Sequence, residues 1–225
     1  MSLETGKYKE IMAELGDRVE LFAVSKTKSV GDIRELYQLG QKDFGENYVQ
    51  EMVDKQQQLP PDIRWHFIGH LQSNKIKYIA PFVFLIQGVD SLKLLVEINK
   101  QAVKCGRVIN CLLQVHIAME ETKFGFNEIE LTDILKNPQL AELDHIRIRG
   151  LMGMASFTDA KEIIRNEFKS LKSLFDKCVK LVAVNSPIST LSMGMSHDYI
   201  IAIEEGTTML RIGSLIFGER KPVNQ

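Results

Sequence analysis

The 225 residues are 44% hydrophobic and 25% charged, which allows a sizeable core and excludes a low-complexity or disordered chain. Their 28 basic and 29 acidic side chains leave a formal net charge of −1, so no electrostatic footprint points to nucleic acid or an anionic membrane. No apolar run is long enough to span a membrane, and the first fifteen residues are charged and helical in pattern rather than signal-like. The three cysteines, Cys105, Cys111 and Cys178, lack C-x-x-C spacing and imply free thiols in a reducing, cytoplasmic compartment.

In chain order, an amphipathic helix is expected over residues 3–15, followed by a strand at 20–25 and a helix at 31–39. Further strands are expected at 43–45, 65–69, 82–89, 108–117, 146–154, 189–193 and 209–213. Helical patterns at 47–58, 74–79, 91–104, 127–136, 159–181 and 197–205 separate them. Alternating units of this size demand a parallel sheet, and eight strands suggest one α/β domain, residues 1–225, closed as a (β/α)8 TIM-type barrel with an extra N-terminal helix. The rival is an open doubly wound sheet; it is disfavoured because no G-x-G-x-x-G turn follows the first strand.

A barrel carries its chemistry at the C-terminal ends of its strands. The first strand, LFAVSK, runs from apolar residues into Lys26, with Lys28 two residues later. Solvation at a strand end is one role for Lys26; the other is a nucleophilic amine whose basicity is lowered by desolvation or by a second cation such as Lys28 or Lys123. At the other end of the chain, Arg211, Gly213 and Ser214 close the last strand ahead of a short apolar segment, a pattern barrels use to bind phosphate. The preceding loop, Ser192 to Ser196, adds hydroxyls and a glycine, although Ser196 also reads as the N-cap of helix 197–205. In a closed barrel these two ends are neighbours. A ligand with both an aldehyde and a phosphate would satisfy both, and pyridoxal 5'-phosphate (PLP) is such a ligand.

The segments AVSKTK (23–28), FGENYVQE (44–51), WHFIGHLQSNK (65–75), RGLMGMA (149–155) and the long block LSMGMSHDYIIAIEEGTTMLRIGSLIFGER (191–220) resemble the pyridoxal phosphate homeostasis proteins. That resemblance implies a barrel like the N-terminal domain of alanine racemase, with PLP held as a Schiff base on Lys26. It also implies phosphate contacts from Ser192, Gly213 and Ser214, with Arg211 facing the ring nitrogen and Asn47, His66 and Met154 around the cofactor. Two positions depart from the family pattern: Ser29 replaces a common proline, and His197 stands where an acidic residue is usual. Lys123 matches a further family lysine.

An arginine opposite the ring nitrogen stays protonated and cannot donate its charge to the ring by proton transfer, which weakens carbanion chemistry. The expectation is therefore a cytoplasmic, monomeric PLP holder that stores cofactor or delivers it to PLP-requiring apoenzymes, without substantial turnover. The alternatives are a one-domain amino-acid racemase, for which no tyrosine is clearly placed as the base, and a PLP-free sugar-phosphate enzyme. His66 and His70 are four apart but lack a zinc-helix pattern, and Glu120 and Glu121 read as solvated. The helical spacing of Phe168, Leu171 and Phe175 marks core.

Overall fold

A computed structural model describes residues 3–119, 124–180 and 187–219. Lys123, Glu120 and Glu121 lie outside the described residues. After α1 (Thr5–Leu15) come β1 (Glu20–Val24), α2 (Val30–Gln38), β2 (Asp43–Glu46), α3 (Val49–Gln56) and β3 (Arg64–Phe67). A single 3-10 turn leads into α4 (Ile76–Ile79), then β4 (Leu85–Val89), α5 (Leu92–Lys104), β5 (Ile109–Val115) and α6 (Glu128–Lys136). The chain finishes with β6 (Ile146–Gly153), α7 (Lys161–Lys180), β7 (Thr190–Met195), α8 (Tyr199–Glu204), β8 (Met209–Ile212) and the one-turn α9 (Ser214–Phe217). All eight strands pair in parallel with their sequence neighbours, and β8 pairs with β1, so the barrel is closed.

Local chemistry starts these helices where they start. Ser29 caps α2 in a reciprocal box with Asp32, so the serine in the usual proline position supplies the cap itself. Asn127 and Glu130 form the same box at α6, and Ser91 accepts from Leu94 N–H at α5. In α7, Ile164, Phe168, Leu171 and Phe175 are buried at helical spacing and pack on the barrel.

The period-two alternation of the strands divides two cores. Leu21 and Ala23 belong to the large cluster between strands and helices, whereas Phe22 packs with Leu85, Leu112, Met152 and Met209 inside the barrel. Gly45 belongs to that inner space: a Cβ there would lie 2.6 Å from the Phe22 ring.

Several boundaries differ from the sequence expectation. The amides of Phe82 and Val83 bond back to Ile79 O, so β4 starts only at Leu85. Beyond Val115 the chain leaves the sheet, because His116 N–H bonds Phe126 O instead. Ser196 does not cap a helix: α8 begins at Tyr199 with Asp198 as its N-cap residue.

Candidate functional site

A cavity of about 310 Å³ opens at the C-terminal ends of the strands, a volume suited to a small ligand. Lys26, Asn47, Met154, Arg211, Gly213 and Ser214 all line it, so six of the expected site residues are brought together from β1, β2, β6 and β8. Lys28 lines it too, with Nζ donating to Phe217 O (2.9 Å) and Gly218 O (3.1 Å), which ties the β1 turn to the end of α9. Two lysines and an arginine thus line the cavity, with His197 at its mouth, and no carboxylate does so among the described lining residues. Ile68 and Met152 supply apolar wall.

The turn bearing Lys26 is held from outside the barrel. Alternation turns Glu46 away from the barrel interior, toward α3, where Lys55 Nζ lies 2.7 Å from its Oε1. The same ammonium donates to Glu51 Oε1 and to Ser25 O, each at 2.7 Å, so all three of its N–H groups are used. Ser25 Oγ donates to Glu46 (2.6 Å), and Glu51 Oε1 accepts Thr27 N–H (2.6 Å). Thr27 has φ +65°, a region that β-branched residues avoid, and the Glu51 bond helps to hold it there. Burial pushes the Glu46 carboxyl up to about 7 against the opposing pull of Lys55, and its second oxygen has no hydrogen-bond partner.

Arg211 occupies the other side of the cavity on a different kind of support. Its Nη1 donates to Ser192 O (2.8 Å) and Ser192 Oγ (2.9 Å), and its Nη2 donates to Gly153 O (2.7 Å). Burial lowers its pKa to about 10, partly offset by the charge of Asp198, so the guanidinium remains charged at neutral pH.

The rim next to Arg211 is built from the ends of β7 and β8. Gly194 has φ +96° and the β7–β8 register shifts between Ser192 and Met195. This bend, held by the 2.5 Å bond from Met195 N–H to Asp198, carries Ser196 to the cavity, where its Oγ accepts Gly213 N–H at 3.3 Å. A Cβ on Gly213 would sit 3.2 Å from Val24 O, so a larger residue would crowd the end of β1. Within α9 the first bonded amides are those of Ile216 and Phe217, both to Gly213 O; Ser214 N–H precedes them.

Two expected residues lie elsewhere. Ser192 is fully buried, level with Met209 in the sheet and below Arg211, and its hydroxyl donates to Gln87 Oε1 (2.7 Å). Ser196, just past the end of β7, is the serine that reaches the cavity; Ser192 points into the barrel but sits level with Met209, below the lining. His66 is likewise buried outside the lining, stacked on Phe22 with ring centroids 4.9 Å apart. Sequence reasoning also passed over Gln87, Glu46, Glu51 and Lys55, which support the site without lining it. Gln87, an amide inside the apolar run LIQGV, was the clearest available signal. Phe157 and His197 meet edge-on at the mouth, ring centroids 5.4 Å apart. No group of three or more His, Cys, Asp or Glu among the described residues could hold a metal ion.

The family model described as alanine racemase, N-terminal domain, matches residues 6–221. A pyridoxal phosphate homeostasis protein from Pasteurella multocida is 42% identical over 207 residues, covering 90% of this chain and 87% of the relative. This chain belongs to the pyridoxal phosphate homeostasis protein family. Among solved structures, PipY of Synechococcus elongatus with PLP bound superposes with a TM-score of 0.85 at 33% identity, covering 96% of this chain and all of that one. An alanine racemase from Clostridium difficile, at 15% identity and TM-score 0.75, shares the fold, and 57% of its length is covered. The chain thus shares the barrel of the racemase N-terminal domain. Among the described residues, no helix is long and apolar enough to cross a membrane.

Proposed function

We propose that this chain binds PLP in the cavity between Lys26 and the Gly213–Ser214 turn, and serves to store the cofactor or hand it to PLP-requiring apoenzymes. The observation that carries this reading is the shared lining: the Lys26 amine, the cations Lys28 and Arg211 without a carboxylate among the described lining residues, and the Gly213–Ser214 backbone meet around one small-molecule volume. Asn47 adds to the fit, because its Oδ1 is buried at the cavity without a hydrogen-bond partner and can accept from a bound group. The relatives support it too, since PipY has a structure with PLP bound and the curated relatives are named for PLP homeostasis.

In this reading Lys26 Nζ would hold PLP through its aldehyde carbon as a Schiff base, the carbonyl oxygen leaving as water. The Ser214 N–H and hydroxyl and the Ser196 hydroxyl, which already accepts Gly213 N–H, would hold the phosphate, and Met154 and Ile68 would pack beside the ring. When bound, PLP supplies an electron sink, and Arg211 keeps that sink weak because a guanidinium holds its proton. A racemase would need a second base. No tyrosine lines the cavity among the described residues, and the hydroxyls of Tyr8 and Tyr37 are bonded to Gln41 and Asp62. The holder reading is therefore preferred.

An absorbance titration with PLP tests it. The wild-type chain should develop an imine band and saturate. Lys26→Ala should lose the band and weaken binding by at least about tenfold, or about 1.4 kcal/mol. An unchanged spectrum in both proteins would rule out the reading. Rapid, Lys26-dependent exchange of amino-acid α-protons in deuterated water would favour the racemase instead.

A further inference from the structure

A line of hydrogen-bonding side chains crosses the barrel interior beneath the cavity. Arg211 Nη1 donates to Ser192 Oγ (2.9 Å), and Ser192 Oγ donates to Gln87 Oε1 (2.7 Å). Gln87 Nε2 lies 3.3 Å from His66 Nδ1, and His66 Nε2 lies 3.0 Å from Asp43 Oδ1. The direction of the middle links is fixed by chemistry. Gln87 Nε2 also approaches Met209 Sδ at 3.4 Å, and a thioether cannot donate, so this end of the amide is the nitrogen. Its N–H must then donate to His66 Nδ1, which places the imidazole proton on Nε2, aimed at the Asp43 carboxylate.

We infer that Asp43, His66, Gln87 and Ser192 are positioning residues for Arg211: a one-directional hydrogen-bond relay that orients the guanidinium and couples it to a carboxylate at the opposite end of the barrel. The inference rests on the proposed cofactor site in one respect, since Arg211 matters to function only if a ligand lies against it.

The need for such a device is physical. Asp198 acts on Arg211 only through its charge, and no carboxylate hydrogen-bonds the guanidinium among the described residues, so its burial is costly unless its N–H groups are held. A direct carboxylate at the cavity would repel an anionic ligand. A relay of neutral groups keeps the negative charge at the start of β2 and lets each bond polarise the next. Asp43 suits the far end: burial pulls its pKa up, but bonds from His66 and Arg64 outweigh this and hold it below the ordinary carboxylate range. Arg64 grips it through Nε (2.7 Å) and Nη2, and Phe22 stacked on His66 locks the ring plane. Gln87 and Ser192 are fully buried and His66 is nearly so, so water does not compete for the links.

The test uses side-chain nitrogen NMR on the full chain without cofactor, followed by PLP titration. His66 should carry its proton on Nε2, and Arg211 should give resolved, slowly exchanging N–H signals. Asp43→Asn keeps the shape at the end remote from the cavity; it should move the Arg211 signals and speed their exchange about tenfold. Ser192→Ala, which breaks the last link, should do the same. A proton on His66 Nδ1, or Arg211 signals unmoved in both variants, overturns the relay. If the NMR result holds but wild-type protein shows no spectral response to PLP, the relay stands and the cofactor reading fails. If PLP binds and its absorbance maximum is identical in wild type and Ser192→Ala, the coupling to the ligand is refuted.

Discussion

The two sides of the cavity are anchored in opposite ways. Beside Lys26, an ion cluster of Lys55, Glu46 and Glu51 sits outside the barrel wall and grips backbone: Ser25 O and Thr27 N–H. Beneath Arg211, a line of uncharged side chains runs inside the barrel and grips the guanidinium head itself. The difference suits the roles proposed for the two cations. A nucleophilic amine needs its main chain fixed and its long side chain able to swing, whereas an arginine that reads a ligand edge needs its planar fork pre-oriented.

The contrast is easiest to break at Lys55. Lys55→Met leaves Glu46 and Glu51 without their shared cation and should destabilise the fold by about 3–5 kcal/mol in urea unfolding. Binding of PLP should weaken as well, because Ser25 O and Thr27 lose their clamp; an unfolding midpoint within error of wild type would show that the cluster is ornamental.

Acid–base behaviour should separate the two regions next. The folded pKa of Glu46 lies above its ordinary value of 4.5, at about 7, because burial disfavours the anion. The folded state therefore binds this proton more readily than the unfolded state. The resulting stabilisation is complete below about pH 4.5 and is lost as pH rises towards about 7. Glu46→Gln should flatten the pH–stability curve over that window by roughly 1–3 kcal/mol. A curve with the wild-type slope would place the titration elsewhere.

Thr27→Gly carries the smallest effect. Relief of the left-handed threonine and the added chain entropy of glycine are each about 1 kcal/mol and opposed, so stability should stay within about 1 kcal/mol of wild type. What should change is order: the Lys26 amide should exchange faster with solvent while the Arg211 side stays as it was. A drop of several kcal/mol would mean that the Thr27 side chain, and not only its backbone, is needed.

The barrel was legible in the sequence because its cause is local: eight apolar strand patterns alternate with helical ones. Lys26, Arg211, Gly213 and Ser214 were legible for a related reason, since strand ends face one rim in any such barrel. The choice between Ser192 and Ser196 was not. It turns on the bend at Gly194 and the shifted β7–β8 register, which depend on a pairing partner that alternation along one strand cannot reveal. Glu46 with Lys55, and Gln87 with both His66 and Ser192, escaped for the same reason: each contact joins separate elements, and nothing in a single segment announces its partner.

The most direct measurement is borohydride reduction of PLP-loaded protein followed by peptide mass mapping. One pyridoxyl phosphate adduct should appear, on the peptide containing Lys26. An adduct on Lys28, Lys75 or Lys123 in its place, or none at all, would contradict the account.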